Sequence, residues 1–360
     1  GGWELVSVSP RPGELRLWAY QSIAHGADAI VFFRWRTARF GTEEYWHGVL
    51  DHHGKPGRRY EEIRRMGAEI NEIGQLIHGS QIQAPVAFLL SYDSRFAFQI
   101  QGNNPRFSYP EHFHAFYRAF YNQQVLVDIV TPISDLSQYK LVVAPALHIV
   151  TEAIAKNLEG FVRGGGVLVV TPRTGVKDEA NAVVNQPLPG LLAELCGVKV
   201  KEYCSLPIDL DNEIQFSIND FPSTSHPAEV WCDLLQSKGA KVIARYTQDY
   251  FAGTPAITLN DYGEGKAVYM GTMGKPSLFE TFAGWLLDKV GVKPTLLVPK
   301  EVEVGERWQG DRRIIFLLNH SEATQEIPIE GSYIDLLNKS TPVEGILMIP
   351  PRGVFVLQEG

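Results

Sequence analysis

The side chains best suited to chemistry in this 360-residue chain crowd between Arg34 and His53. Arg34, Trp35, Arg36, Arg39, Glu43, Glu44, Tyr45, Trp46, His47, Asp51, His52 and His53 all fall there, directly after the apolar run Ile30-Val31-Phe32-Phe33. Three chemistries suit these residue types. Glu44 and His47 with His52 or His53 could ligate zinc, but the spacing that places two histidines on one helix face is missing. Glu43 and Glu44 could form a catalytic carboxylate pair. Sequence neighbours rarely oppose each other across a glycosidic bond, however, where retaining chemistry sets the carboxyls about 5 Å apart. The third chemistry is recognition of a polyhydroxylated ligand. Glu44 would accept hydroxyl hydrogen bonds, His47 would donate or accept one, and Trp35 would pack on a ring.

Such a loop needs a rigid platform, and the preceding apolar run predicts a strand over Ala29–Arg34. A buried strand running into polar and aromatic residues is how catalytic loops leave the C-terminal edge of a parallel sheet or barrel. A helical pattern precedes it (Leu15, Trp18, Ala19, Ile23, stopped at Gly26), and another follows from Tyr60 to about His78. Residues 1–78 thus read as loop, helix, strand, loop and helix, which cannot close a core alone. The chain starts at Gly1 rather than Met, and its first strand arrives with no preceding core, so a fragment lacking its N-terminal part is expected.

After Gly79-Ser80 the pattern alternates. Strands are predicted at Val86–Leu90, Val125–Val130, Leu141–Ala144 and Val167–Val170, with helices at Glu111–Gln124, Glu152–Arg163, Leu188–Cys196 and Ser277–Val290. This calls for an α/β doubly wound parallel sheet over 79–294. From Thr295 to Gly360 short strands separated by Gly and Pro turns predict a small antiparallel β-sandwich or barrel.

Bulk properties remove several function classes. A net charge of −8 without Lys/Arg runs argues against nucleic acid as partner. No apolar stretch reaches membrane-spanning length, and no signal-like segment opens the chain. Cys196, Cys204 and Cys232 are odd in number and widely spaced, which argues against a disulfide framework and for a reducing, cytoplasmic setting. No cofactor motif stands out: Gly164-Gly165-Gly166 precedes a strand rather than a helix, so it does not cradle phosphate. The middle domain resembles flavodoxin-like and class I glutamine amidotransferase folds. Its turn after Leu141–Ala144 carries no cysteine nucleophile, and Cys196 sits in an apolar helix. Scaffolding or oligomerisation is therefore its expected work.

Two segments carry a more specific likeness. RLWAYQSIAHGADAIVFFRWR (16–36) and EEYWHGVLDHHG (43–54) resemble the last part of the catalytic barrel in glycoside hydrolase family 42 β-galactosidases. TPRTGVKDEAN (171–181) and GEGKAVYMGT (263–272) resemble that family's trimerisation domain, and the domain order is also the family's. The resemblance implies a C-terminal remnant of a TIM (β/α)8 barrel over 1–78, an amidotransferase-like trimerisation domain over 79–294, and a small β domain over 295–360. It implies that Glu44 and His47 bind galactose beside the scissile bond. Trp3 lines the same pocket, with Arg34, Trp35 and Arg36 in support. A slip of one residue would exchange Glu43 for Glu44.

The same resemblance places the acid/base and nucleophile glutamates upstream of Gly1. The expectation is then part of a retaining β-galactosidase, inactive alone, with a galactoside as substrate and a homotrimer as the assembly. The competing expectation is a non-catalytic assembly or sugar-binding protein, and a third is a related barrel glycosidase acting on arabinosides or fucosides.

Overall fold

The computed structural model describes residues 6, 8–218, 221, 225–338 and 341–359. The chain divides into two compact units: Ala84–Pro294, and the residues up to Gln83 together with those from Thr295. The elements begin with helices α1 (Glu14–Ala24) and α2 (Arg58–Ile77). Strand β1 (Val86–Leu89), helices α3 (Tyr92–Ile100) and α4 (Tyr109–Asn122), and strands β2 (Val127–Val130) and β3 (Leu141–Ala144) follow. Next come α5 (Glu152–Arg163), β4 (Val167–Val170), a short α6 (Ala193–Cys196), β5 (Val198–Ser205), β6 (Asn212–Phe216) and β7 (Ser225–Ser237). Then β8 (Lys241–Tyr246), β9 (Pro255–Tyr262), β10 (Gly265–Met270), β11 (Thr272–Gly274) and α7 (Pro276–Lys289) complete the first unit named above. The chain ends in β12 (Val302–Gln309), β13 (Arg312–Asn319), β14 (Gln325–Asp335), β15 (Thr341–Ile349) and β16 (Val354–Glu359).

In Ala84–Pro294 the apolar runs of β1 and β3 are buried along their whole length, as parallel strands covered on both faces must be. Strands β2, β1, β3, β4 and β10 pair side by side in parallel. Phe116 and Phe120 of α4, with Phe282 and Leu286 of α7, cover one face. Leu158 and Val162 of α5, with Leu195 of α6, cover the other. Side-chain oxygens of Ser91, Ser108 and Thr151 cap α3, α4 and α5. The sheet is wider than the predicted doubly wound one. It has eleven strands, and beyond β10 the pairing turns antiparallel. The helix expected over Leu188–Cys196 shortens to α6 behind a single 3-10 turn, and Gly190 takes a left-handed φ of 65° that a regular right-handed helix does not contain.

The other unit resolves how residues 1–78 find a core. Leu17, Tyr20 and Ile23 of α1 and Met66 and Ile73 of α2 pack on Ile314, Phe316, Leu318 and Val356 of the C-terminal sheet. That sheet is a single antiparallel one, ordered β12-β13-β16-β14-β15. This corrects the sandwich expectation, since helices rather than a second sheet supply the covering layer for one face. Gly305 lets α1 approach β12; a Cβ there would lie 2.8 Å from Ala24 Cβ. Gln81 and Trp308 exchange backbone hydrogen bonds of 2.8 and 2.7 Å, so the segment after α2 also belongs here.

The strand predicted over Ala29–Arg34 does not form. Ile30 and Phe32 turn toward the core while Val31 is 90 % exposed and Phe33 59 %. No strand is assigned there among the described residues. A parallel strand takes its hydrogen bonds from neighbours, and none of the described segments lies alongside to supply them.

Two buried polar groups bind this unit together. The Arg307 guanidinium, essentially inaccessible, donates through Nη1 to Ile23 O (3.0 Å) and Ala27 O (3.2 Å), and through Nη2 to Asp28 Oδ1 (3.0 Å) and Ser80 O (2.8 Å). It thereby serves carbonyls freed at the end of α1. Glu303 is buried and accepts from Gln21 Nε2 (2.7 Å), His25 Nε2 (2.5 Å) and His320 Nε2 (2.6 Å). Burial alone would raise its pKa, but the hydrogen bonds from His25 and His320 outweigh it and hold the carboxyl at about 2. The same bond to Glu303, against the opposing effect of burial, raises His25 above 6.5.

The signs give a pH window. A depressed carboxyl stabilises the fold above its ordinary value of 4.5 and loses that contribution as pH falls toward 2. A raised histidine contributes below 6.5 and loses its contribution as pH rises through the higher folded value. Glu303→Gln should therefore cost about 2 kcal/mol near pH 6 in urea denaturation. The gap should narrow on both the acid and the alkaline side, whereas a gap independent of pH would contradict the clamp.

Candidate functional site

Gly26 ends the turn after α1, and the chain then runs extended past Phe33 into the polar loop. A single parallel backbone bridge, Arg36 with Leu50, closes that loop. Val49 N donates to Arg34 O (2.8 Å), Leu50 N to Trp35 O (2.7 Å), and Thr37 N to Leu50 O (3.0 Å). Thr37 Oγ1 accepts from Gly48 N at 2.9 Å and donates to Leu50 O at 3.2 Å. Gly48 has to be glycine, since a Cβ would fall 2.4 Å from Thr37 N and 2.6 Å from the Arg36 carbonyl carbon. Arg59, at the start of α2, clamps the returning strand through Gly48 O (3.0 Å) and Asp51 Oδ1 (2.5 Å). Arg36 ties its end to His52 O.

This folding sorts the candidate residues. Glu43 is taken up by Arg34, whose Nη1 donates to its Oε2 at 3.1 Å. Arg34 and Glu43 line one cavity, of about 530 Å³. Glu44 faces a different one, of about 430 Å³, together with Tyr45, His47, Asp51, His52 and Arg59. Among the described residues the Glu44 carboxylate has no ion-pair or hydrogen-bond partner of its own. The two adjacent glutamates are therefore chemically unlike: one is committed to structure, and the other is available to a ligand. In a small cleft a half-buried carboxylate can accept hydrogen bonds from hydroxyls while the histidine and arginine beside it donate to others.

Trp35 lies apart from both cavities, edge-on to Tyr60 with ring centroids 6.1 Å apart, and is 62 % exposed. Trp46 packs edge-on against Phe33 at 5.8 Å. Trp3 lies outside the described residues. No three His, Cys, Asp or Glu side chains cluster as metal ligands would among the described residues. Thr37, Gly48 and Arg59 were not singled out as functional from the sequence, although they shape the site. Only Gly48 gave a signal there, as the glycine that follows His47.

Comparison with known proteins places this loop in context. A family model described as Beta-galactosidase matches residues 1–73. The Beta-galactosidase trimerisation domain matches 84–293, and the Beta-galactosidase C-terminal domain matches 301–359. The β-galactosidase BgaP of Planococcus sp. (strain L4) is 32% identical over 358 residues, covering 99% of this chain and 53% of that protein. A solved β-galactosidase from Bacillus circulans sp. alkalophilus superposes with a TM-score of 0.93 at 32% identity, covering 97% of this chain and 52% of the other. The E323A catalytic mutant of Gan42B, a GH42 β-galactosidase from G. stearothermophilus, does so with a TM-score of 0.93 at 29% identity, over 99% and 52%. The chain spans about half the length of the curated relatives it matches. No helix among the described residues is long and apolar enough to cross a membrane.

The close approach at Gly48 yields a prediction. Gly48→Ala should force the two bridged segments apart and cost about 1–3 kcal/mol. Hydrogen exchange at the amides of Thr37, Val49 and Leu50 should accelerate, and unchanged protection at all three would contradict this account of the loop.

Proposed function

We infer, from a chain that belongs to the glycoside hydrolase family 42 β-galactosidases, that it is the C-terminal part of a retaining β-galactosidase cleaving terminal β-D-galactosyl bonds. Its share of that work is to grip the sugar and to assemble the enzyme. Glu44 accepts hydrogen bonds from galactose hydroxyls, and His47 supplies a further bond in the same cleft. Arg34, bonded to Glu43, and Trp35, edge-on to Tyr60, support the loop from outside that cleft. The observation that carries this reading is the sorting of the two glutamates. Glu43 is spent on Arg34, while Glu44 shares a cavity with His47.

The bond-breaking groups belong elsewhere in this reading. Retaining hydrolysis needs one glutamic acid to protonate the leaving oxygen and a second to attack the anomeric carbon, with the carboxyls about 5 Å apart. We place both in the preceding half of the polypeptide, as the remaining strands of a (β/α)8 barrel. The exposed apolar side chains Val31 and Phe33 support this, since neighbouring barrel strands would cover them. The trimerisation model over 84–293 supports a homotrimer in which this α/β domain helps wall a neighbour's site. Three free cysteines suit a reducing cytoplasm.

A nitrophenyl β-galactoside assay tests the reading. The full-length polypeptide should turn over, and the 360-residue chain should not. In the full-length enzyme Glu44→Gln should raise KM about tenfold or more, the loss of one charged hydrogen-bond acceptor, while Glu43→Gln should leave KM within about twofold. Full-length rates from the 360-residue chain, or the opposite ranking of the two variants, would refute the reading. Light scattering should give a trimer, and a stable full-length monomer would remove the assembly.

A further inference from the structure

We propose that Cys204 and Cys232 form a disulfide-forming pair that reacts with a small-molecule disulfide and closes into a cross-strand bond pinning β5 to β7. The two residues stand directly opposite each other in the antiparallel register of these strands. Opposed residues in such a pair have Cα atoms about 4.5–5.5 Å apart and side chains on the same face. That separation lies inside the range a disulfide spans. Both side chains pack against the same apolar cluster, so they share one side of the sheet. Cys196 belongs to the cluster on the opposite side and has no such partner.

Access differs between the two thiols, and this sets the order of events. Among the described strands β5 pairs only with β7, and Cys204 on it is half-buried. Cys232 is buried behind it on β7. Burial raises both thiols above their ordinary values, Cys232 to about 12. At rest the pair is two protonated thiols.

The chemistry balances as thiol–disulfide exchange. The Cys204 sulfur, losing its proton, attacks one sulfur of the small disulfide. That S–S bond breaks and one small thiolate leaves, taking up the proton. The Cys232 sulfur then attacks Cys204 in the mixed disulfide and expels the second small thiol. One disulfide is reduced to two thiols while two cysteines are oxidised to one bond. The segment between the two strands becomes a closed loop, which restricts the unfolded chain.

Oxidised glutathione incubated with the folded full chain, followed by denaturation, alkylation and intact-mass analysis, tests the pair. The expected product is lighter by two hydrogens, carries one alkylatable thiol instead of three, and yields a Cys204–Cys232 cross-link on non-reducing peptide mapping. Cys204→Ser should abolish the link and Cys196→Ser should leave it intact, with circular dichroism confirming that both variants fold. Three thiols persisting after incubation, a glutathione adduct that never resolves, or a cross-link through Cys196 would each overturn the proposal.

Discussion

The unit that carries the candidate site depends on one buried cation. Arg307 cannot stay in an apolar interior unpaired, because an isolated buried charge costs several kcal/mol. Its five donors are planar and fixed, so whatever satisfies them is fixed as well. Here the acceptors are the end of α1, the turn at Ala27-Asp28 and the carbonyl of Ser80. That turn leads straight into Ile30–Phe33 and the loop beyond. The C-terminal sheet thus sets the position of a loop more than two hundred residues earlier in the chain, a long reach that is itself visible in the Arg307–Ala27 bond. Glu303, four residues away on the same strand, adds a second tie through His25, Gln21 and His320.

Downstream of that anchor the loop is held by its backbone more than by its charged groups. The backbone bridge through Thr37, Val49 and Leu50 needs the missing side chain at Gly48, and Arg59 closes the return. Within that frame the consecutive residues Glu43 and Glu44 point to different cavities, so adjacency in sequence does not make them a pair. This is the physical ground on which we propose sugar recognition, rather than acid/base chemistry, for this part of the protein.

Much of the fold was legible because buried parallel strands announce themselves. Leu141–Ala144 and Val167–Val170 are continuous apolar runs between helical patterns, and both appear with the predicted ends. Helix α5 matched as well, since Thr151 and Gly164 mark its ends. Helix α3 escaped notice because Tyr92, Phe96 and Ile100 put apolar groups on its exposed face and blur the periodicity. The strand over Ala29–Arg34 was misread for the converse reason. Its residues have strand character, but a strand is made by its neighbours. The shared core of α1, α2 and the C-terminal sheet was illegible too, because nothing local in 1–78 signals a partner that begins near Val302. At the proposed site, Glu44 and His47 were expected from residue type and from the family resemblance, and they line one cavity. Arg59 was not, since its role comes from where α2 starts relative to the loop.

The central claim is that Glu44 and His47, not Glu43, hold the sugar. A crystal structure of the full-length polypeptide soaked with galactose measures this directly. The account predicts Glu44 and His47 within hydrogen-bond distance of galactose hydroxyls, about 2.6–3.2 Å, with the Arg34–Glu43 ion pair intact. Galactose bound to Glu43 with that ion pair broken, or bound away from this loop altogether, would contradict it.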